Sequence, residues 1–238
     1  EQIARLKSIF GYANYYLDKY DVARRAFNDA VKADPELPTS LIGRAMVHEQ
    51  MGFMNAAMLD LDRVTEIDDQ IGQPFAIRAA IHMRWGNMEL AEGDLEHALQ
   101  MDPDDEETRL ALARLHALQR RTSPALEVLE HLVNNGTDPN IVGPGALLRS
   151  QVSLTLGSID AALEDANHVI EIMPDKPWGY LQAAACHISG GIEGGAAIDL
   201  LKKAEDCVRS ERDLPDHYSL RASAYENLGK QEKAAEYR

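Results

Sequence analysis

Seven alanines, Ala23, Ala57, Ala91, Ala125, Ala162, Ala197 and Ala234, follow one another at separations of 34, 34, 34, 37, 35 and 37 residues by subtraction. A fixed period of this size marks a repeat architecture, in which each unit buries its apolar face only by stacking on its neighbours. Four residues after six of them stand Phe27, Leu61, Leu95, Leu129, Ala166 and Leu201, and three residues further Ala30, Val64, Ala98, Leu132, Val169 and Ala204. Apolar positions at i, i+4 and i+7 form one face of a helix.

About twelve residues before each alanine runs a second track of small side chains: Gly11, Ala45, Ala79, Ala113, Ser150, Ala184 and Ala222. Small residues at this spacing allow a second helix to approach closely, so each unit holds two helices. Between the tracks Gly52, Gly86, Gly157, Gly191 and Gly229 occupy the place where a helix ends in a left-handed cap, and Pro35, Pro103 and Pro174 close second helices.

The tracks, read as LysSerIlePheGlyTyrAlaAsn over residues 7–14 and AlaArgArgAlaPheAsnAspAlaValLysAlaAspPro over 23–35, resemble the tetratricopeptide repeat family over nearly the whole chain. The resemblance implies an all-α fold, a right-handed α-solenoid of helix-turn-helix hairpins wound as a TPR-like superhelix. One such domain is expected over 1–238, with units near 4–37, 38–71, 72–105, 106–139, 143–176 and 177–211 and a partial unit over 215–238. The extra residues fall at 140–142, 189–195 and 212–214, which reads as lengthened connections.

Composition narrows the function classes. With 45% apolar and 26% charged residues the chain belongs to the globular range. No apolar run reaches the ~20 residues of a membrane-spanning helix, so no membrane insertion is expected. A formal charge of −15, without a basic cluster interleaved with aromatics, disfavours nucleic acid as a partner. The chain opens at Glu1 and shows no targeting signal; its compartment stays open, with the cytoplasm slightly favoured. Cys186 and Cys207 read as two free thiols on antiparallel helices at mismatched heights. No CxxC, HExxH, GxSxG or nucleotide-binding glycine motif occurs, so the chain reads as a non-enzyme without cofactor or metal.

Two tracks carry polar chemistry. Arg44, Arg78 and Arg149 occupy equivalent first-helix positions, and Asp60, Asp94 and Asp165 equivalent positions on the following second helices. Where the arginine is missing, the pairs are Phe10 with Ala26, Leu112 with Val128 and Ala183 with Leu200, apolar on both sides. The covariation predicts structural ion pairs that set the register of each hairpin. His48, His82, His116 and His187 recur one to a unit. Packed helices stand about 8–10 Å apart while zinc needs nitrogens at about 2 Å, so these histidines read as packing groups rather than metal ligands.

In the family the chain resembles, first helices line a concave groove that binds a protein or peptide. By helical phase that face would present Tyr12, Tyr16, Met46, Gln50, Arg84, Arg114, Gln151 and Thr155. Arg84 and Arg114 stand out as cations in an acidic chain, which suggests a segment bearing acidic groups or a free carboxylate. The carboxylate clamp of some co-chaperone members is not carried over, because its places hold Ser8, Tyr12, Gly43, Gln73 and Ile77. The expected function is therefore a protein-interaction scaffold. The alternatives are an assembly module, self-associating through an uncapped C-terminal edge near Arg238, and the non-catalytic regulatory arm of a larger protein.

Overall fold

The computed structural model describes residues 1–191, 194–208 and 217–237, and every regular element among them is helical. Two compact units divide the chain at residue 115. The first holds α1 (Gln2–Tyr15), α2 (Tyr20–Ala33), α3 (Pro38–Gln50), α4 (Met54–Ile67), α5 (Gly72–Trp85), α6 (Met88–Met101) and most of α7 (Glu106–Leu118). In the second stand α8 (Thr122–Asn135), α9 (Pro139–Thr155), α10 (Ile159–Ile172), α11 (Pro177–Ser189), α12 (Gly194–Asp206), α13 (His217–Asn227) and α14 (Gln231–Ala235). Consecutive helices pack as antiparallel hairpins: α1 with α2, α3 with α4 and α5 with α6, then α9 with α10, α11 with α12 and α13 with α14.

The alanine track is the inner seam of these hairpins: six of its members have no exposed surface and Ala234 has 1%. In unit 1 the best-filled place is Phe27, fully buried among Ala23, Val47, Tyr12, Tyr15, Tyr20 and Met51. Its ring occupies the space that a Cβ on Gly11 or Gly43 would need, so both glycines exist there for room rather than for conformation. Burying such a ring stabilises by about 2–3 kcal/mol. Unit 2 repeats the scheme around Leu201 with Leu181, Ala184, Ala197, Ala204 and Ala224. In its first hairpin the small position is Ser150, whose hydroxyl donates to the Ala162 carbonyl at 2.6 Å and accepts from Gln182 Nε2 at 3.0 Å. Both thiols are free, and burial pushes that of Cys186 up.

All five turn glycines are left-handed, with φ between 63° and 82°. In the two hairpins without glycine the same position is held by Asp18 (φ 57°) and Arg120 (φ 58°), so the turn geometry persists where the residue best suited to it is absent. At 140–142 the expected lengthened connection is helix instead. Asp138 accepts the Asn140 amide at 2.8 Å as an N-cap, Pro139 fills the first helical position, and the additional residues extend α9 to 17 residues. Residues 192–193, 212–214 and 238, parts of the other expected insertions and of the C-terminal edge, lie outside the described residues. No helix among the described residues is long and apolar enough to cross a membrane.

Candidate functional site

The ion-pair residues stand mostly buried between helices. Arg44 donates Nε and Nη2 to the two carboxylate oxygens of Asp60 at 2.9 and 2.6 Å, and Arg78 does the same to Asp94 at the same distances. Arg149 reaches Asp165 at 2.9 and 2.5 Å. Each arginine lies 16 residues before its aspartate, and two also reach 16 residues back to the preceding second helix: Arg44 to Asn28 at 3.3 Å, Arg78 to Asp62 at 3.0 Å. Burial pushes the Asp60 carboxyl up, but the neighbouring His48 and the hydrogen bonds and charge of Arg44 outweigh it and hold it below its ordinary value. The Asp94 hydrogen bond raises Arg78 above an already high value.

Arg221, in the same first-helix track, escaped the sequence reading because its partners differ. The residue 16 positions ahead is Tyr237, and the guanidinium lies 5.2 Å from that ring's centre while bonding Glu205, 16 residues back, at 2.5 Å. Aromatic and acidic residues thus replace the aspartate. The histidine track flanks these pairs: His48 Nδ1 is 3.5 Å from Asp60 and His82 Nε2 3.9 Å from Asp94. Among the described residues no group of three or more histidine, cysteine, aspartate or glutamate side chains could hold a metal ion.

A groove of about 660 Å³ opens within unit 1 along α3, α5 and the start of α7. Its floor is apolar, with Met46, Ile71, Ala76, Ile77, Ala80 and Ala111. Of the residues singled out for partner binding only Met46 lines it. Tyr12 is absorbed into the fold: its ring meets Phe27 edge-on at 5.0 Å, its hydroxyl donates to the Thr39 carbonyl at 3.0 Å, and burial pushes its pKa up to about 12. Tyr16 is 74% exposed and touches Tyr15, which lines the groove in its place. Gln50 donates to Glu49 at 2.8 Å, and Arg114 is exposed on α7. On α9 in unit 2, Gln151 is exposed and the Thr155 hydroxyl donates to the Val152 carbonyl at 2.7 Å.

Arg84, singled out as a cation in an acidic chain, has a carboxylate beside it. Its Nη1 lies 2.9 Å from Glu49 Oε1, so a carboxylate of α3 already answers its charge. The residues missed from sequence are the carboxylates Glu49, Asp102, Asp105 and Glu107, all of which line the groove. The run AspProAspAspGluGlu over 102–107 reads as a solvated helix start, and Asp105 does cap α7, accepting from the Thr108 amide and hydroxyl at 3.1 and 2.5 Å. Its second property, a place on the groove rim, depends on how successive hairpins stack and has no local sequence signal.

A sequence model of the tetratricopeptide repeat matches residues 85–142. The fold is shared with the solved APC/C hetero-tetramer Cut9-Hcn1, at a TM-score of 0.74 and 18% identity, covering 93% of this chain and 42% of that one, so this chain spans well under half of that relative. A tetratricopeptide repeat protein from Parabacteroides merdae ATCC 43184 matches with a TM-score of 0.69 and 16% identity, covering 100% of this chain and 91% of that one. YrrB, whose structure is described as a TPR protein with an unusual peptide-binding site, matches at 0.62 and 18% identity over 79% of this chain and 94% of its own. Among curated proteins none matches in sequence. The repeat tracks and helical hairpins thus have the fold of solved tetratricopeptide repeat proteins, and within it residues 85–142 match the sequence model of that repeat.

Proposed function

We propose that the chain is a non-catalytic protein-interaction scaffold that receives a peptide or protein segment in the first-helix groove of unit 1. The observation that carries this reading is the groove itself, an open apolar floor bordered by polar groups, the usual make-up of a binding cleft. The fold serves protein–protein interaction in general, and the peptide-binding site of YrrB is a precedent within it. The test uses Ala80→Trp, which fills the floor from an exposed position on α5 without changing charge. Native chain and variant, matched in helical content, are used to capture proteins from the lysate of the source organism. A protein held by the native chain and lost with Ala80→Trp supports the groove; identical capture by both places binding elsewhere.

A second reading, an assembly module, draws on α1. Ile3, Leu6, Ile9 and Phe10 there are 64%, 67%, 65% and 56% exposed, and a contiguous apolar stripe of this kind marks interaction surfaces. Sedimentation across concentration decides it: a monomer throughout removes self-association, and a concentration-dependent dimer dispersed by Leu6→Glu supports it.

A further inference from the structure

The charged residues that line the unit 1 groove all have one sign. Of its fifteen lining residues four are carboxylates, Glu49, Asp102, Asp105 and Glu107, and none is lysine or arginine. They come from both ends of the helices: Glu49 from the last turn of α3, Glu107 from the first turn of α7, with Asp102 and Asp105 just ahead of α7. Between them lies the apolar floor of Met46, Ala76, Ile77 and Ala80. The chain itself illustrates what the acids accept, since Glu49, with a side chain only 14% exposed, takes the Arg84 guanidinium at 2.9 Å. Asp102 and Glu107 face solvent at the other end.

Resting on the groove reading above, we infer that the occupant is a basic amphipathic segment, an extended or helical stretch in which apolar side chains alternate with lysine or arginine. Apolar residues would fill the floor while cations meet Asp102 and Glu107. An acidic segment would bring negative charge against four carboxylates, and the Arg84 guanidinium beside one of them is already engaged by Glu49. Electrostatic complementarity governs partner choice and association rate more than raw affinity, so the selection should be strong even where binding is modest.

The probes are three fluorescein-labelled peptide libraries of equal length, in which leucine and alanine are interspersed with lysine and arginine, with aspartate and glutamate, or with serine and glutamine. Fluorescence anisotropy is measured against the full chain, Ala80→Trp, Asp102→Asn/Glu107→Gln, and a control, Glu127→Gln/Glu130→Gln, which removes the same two charges from exposed positions on α8 in unit 2. Circular dichroism confirms that all four are equally helical. The cationic library should bind, weaken about fivefold in the groove double variant, as two exposed charge pairs would give, be abolished by Ala80→Trp, and keep its affinity for the control. Equal weakening by the control would mean that diffuse charge does the binding and would overturn the inference. Preference for the anionic or neutral library, lost with Ala80→Trp, would overturn the basic occupant while leaving the groove reading intact. No binding of the cationic library at millimolar peptide also contradicts the inference, and the groove reading then rests on the lysate capture alone.

Discussion

Arg78 and Asp94 face each other across the α5/α6 hairpin with two parallel hydrogen bonds of 2.9 and 2.6 Å, and the same arginine extends a third to Asp62 on α4 at 3.0 Å. One guanidinium thus ties its own hairpin together and fastens it to the preceding one. Removing an aspartate strands a mostly buried cation, and the cost depends on what else that cation touches. Arg78 keeps Asp62, Arg44 keeps the neutral Asn28, and the residue at the corresponding place behind Arg149 is Val133. Asp165→Ala should therefore be the most destabilising of the three, at about 3 kcal/mol, with Asp60→Ala intermediate and Asp94→Ala the mildest. Adding Arg149→Leu to Asp165→Ala should recover part of the loss in urea denaturation; equal destabilisation by single and double variants would show that the pair is not the cause.

The left-handed turn at Arg120 gives a stabilising prediction. A residue with a Cβ at φ 58° is strained by about 1 kcal/mol, and glycine removes that strain at the place where five sister turns already use it. Arg120→Gly should raise the melting temperature by about 2–4 °C, as measured by calorimetry. At Asp18 the gain should be smaller, because its carboxylate also accepts the Tyr20 hydroxyl at 2.7 Å.

Steric demand at Phe27 predicts the opposite sign. Gly43→Ala puts a methyl group where the ring lies, and fully buried surroundings leave the ring little room to retreat. The substitution should cost about 1–3 kcal/mol. A melting temperature unchanged by Gly43→Ala would mean that the ring is not confined as described.

Acid should loosen the second hairpin. Asp60 is held below its ordinary carboxylate value in the folded chain, so the unfolded chain takes up its proton first as pH falls. The stability contributed by this group is complete above the unfolded value of 3.8 and is lost as pH drops through the lower folded value. Thermal melts of the native chain and of Asp60→Asn in that acid range should converge toward low pH. Parallel curves would remove Asp60 as a contributor.

The packing of the fold was legible in sequence because it repeats: Ala57, Leu61 and Val64 mean little alone, yet with the same register at five other places they specify a helix and the face it buries. The arginine and aspartate tracks were legible for the same reason. The groove was read less well. Tyr12 has the right helical phase for a ligand-binding side chain, but Phe27 on the next helix and the Thr39 carbonyl on the one after claim it, and neither neighbour is local. Arg84 and Glu49 are 35 residues apart, and Asp102 reaches the rim only through hairpin stacking, so period and phase could reveal neither relationship.

Site-specific photocrosslinking distinguishes binding in the unit 1 groove from binding on another face of the chain. A photoreactive side chain replaces Gln73 on the groove rim, Leu59 on the exposed side of α4, or Leu6 on the apolar stripe of α1. After irradiation in lysate, adducts are identified by mass spectrometry. A partner should be crosslinked from position 73 and not from position 59, with the adduct suppressed by Ala80→Trp in the same chain. A partner crosslinked from 59 or 6 and never from 73 would contradict binding in the groove.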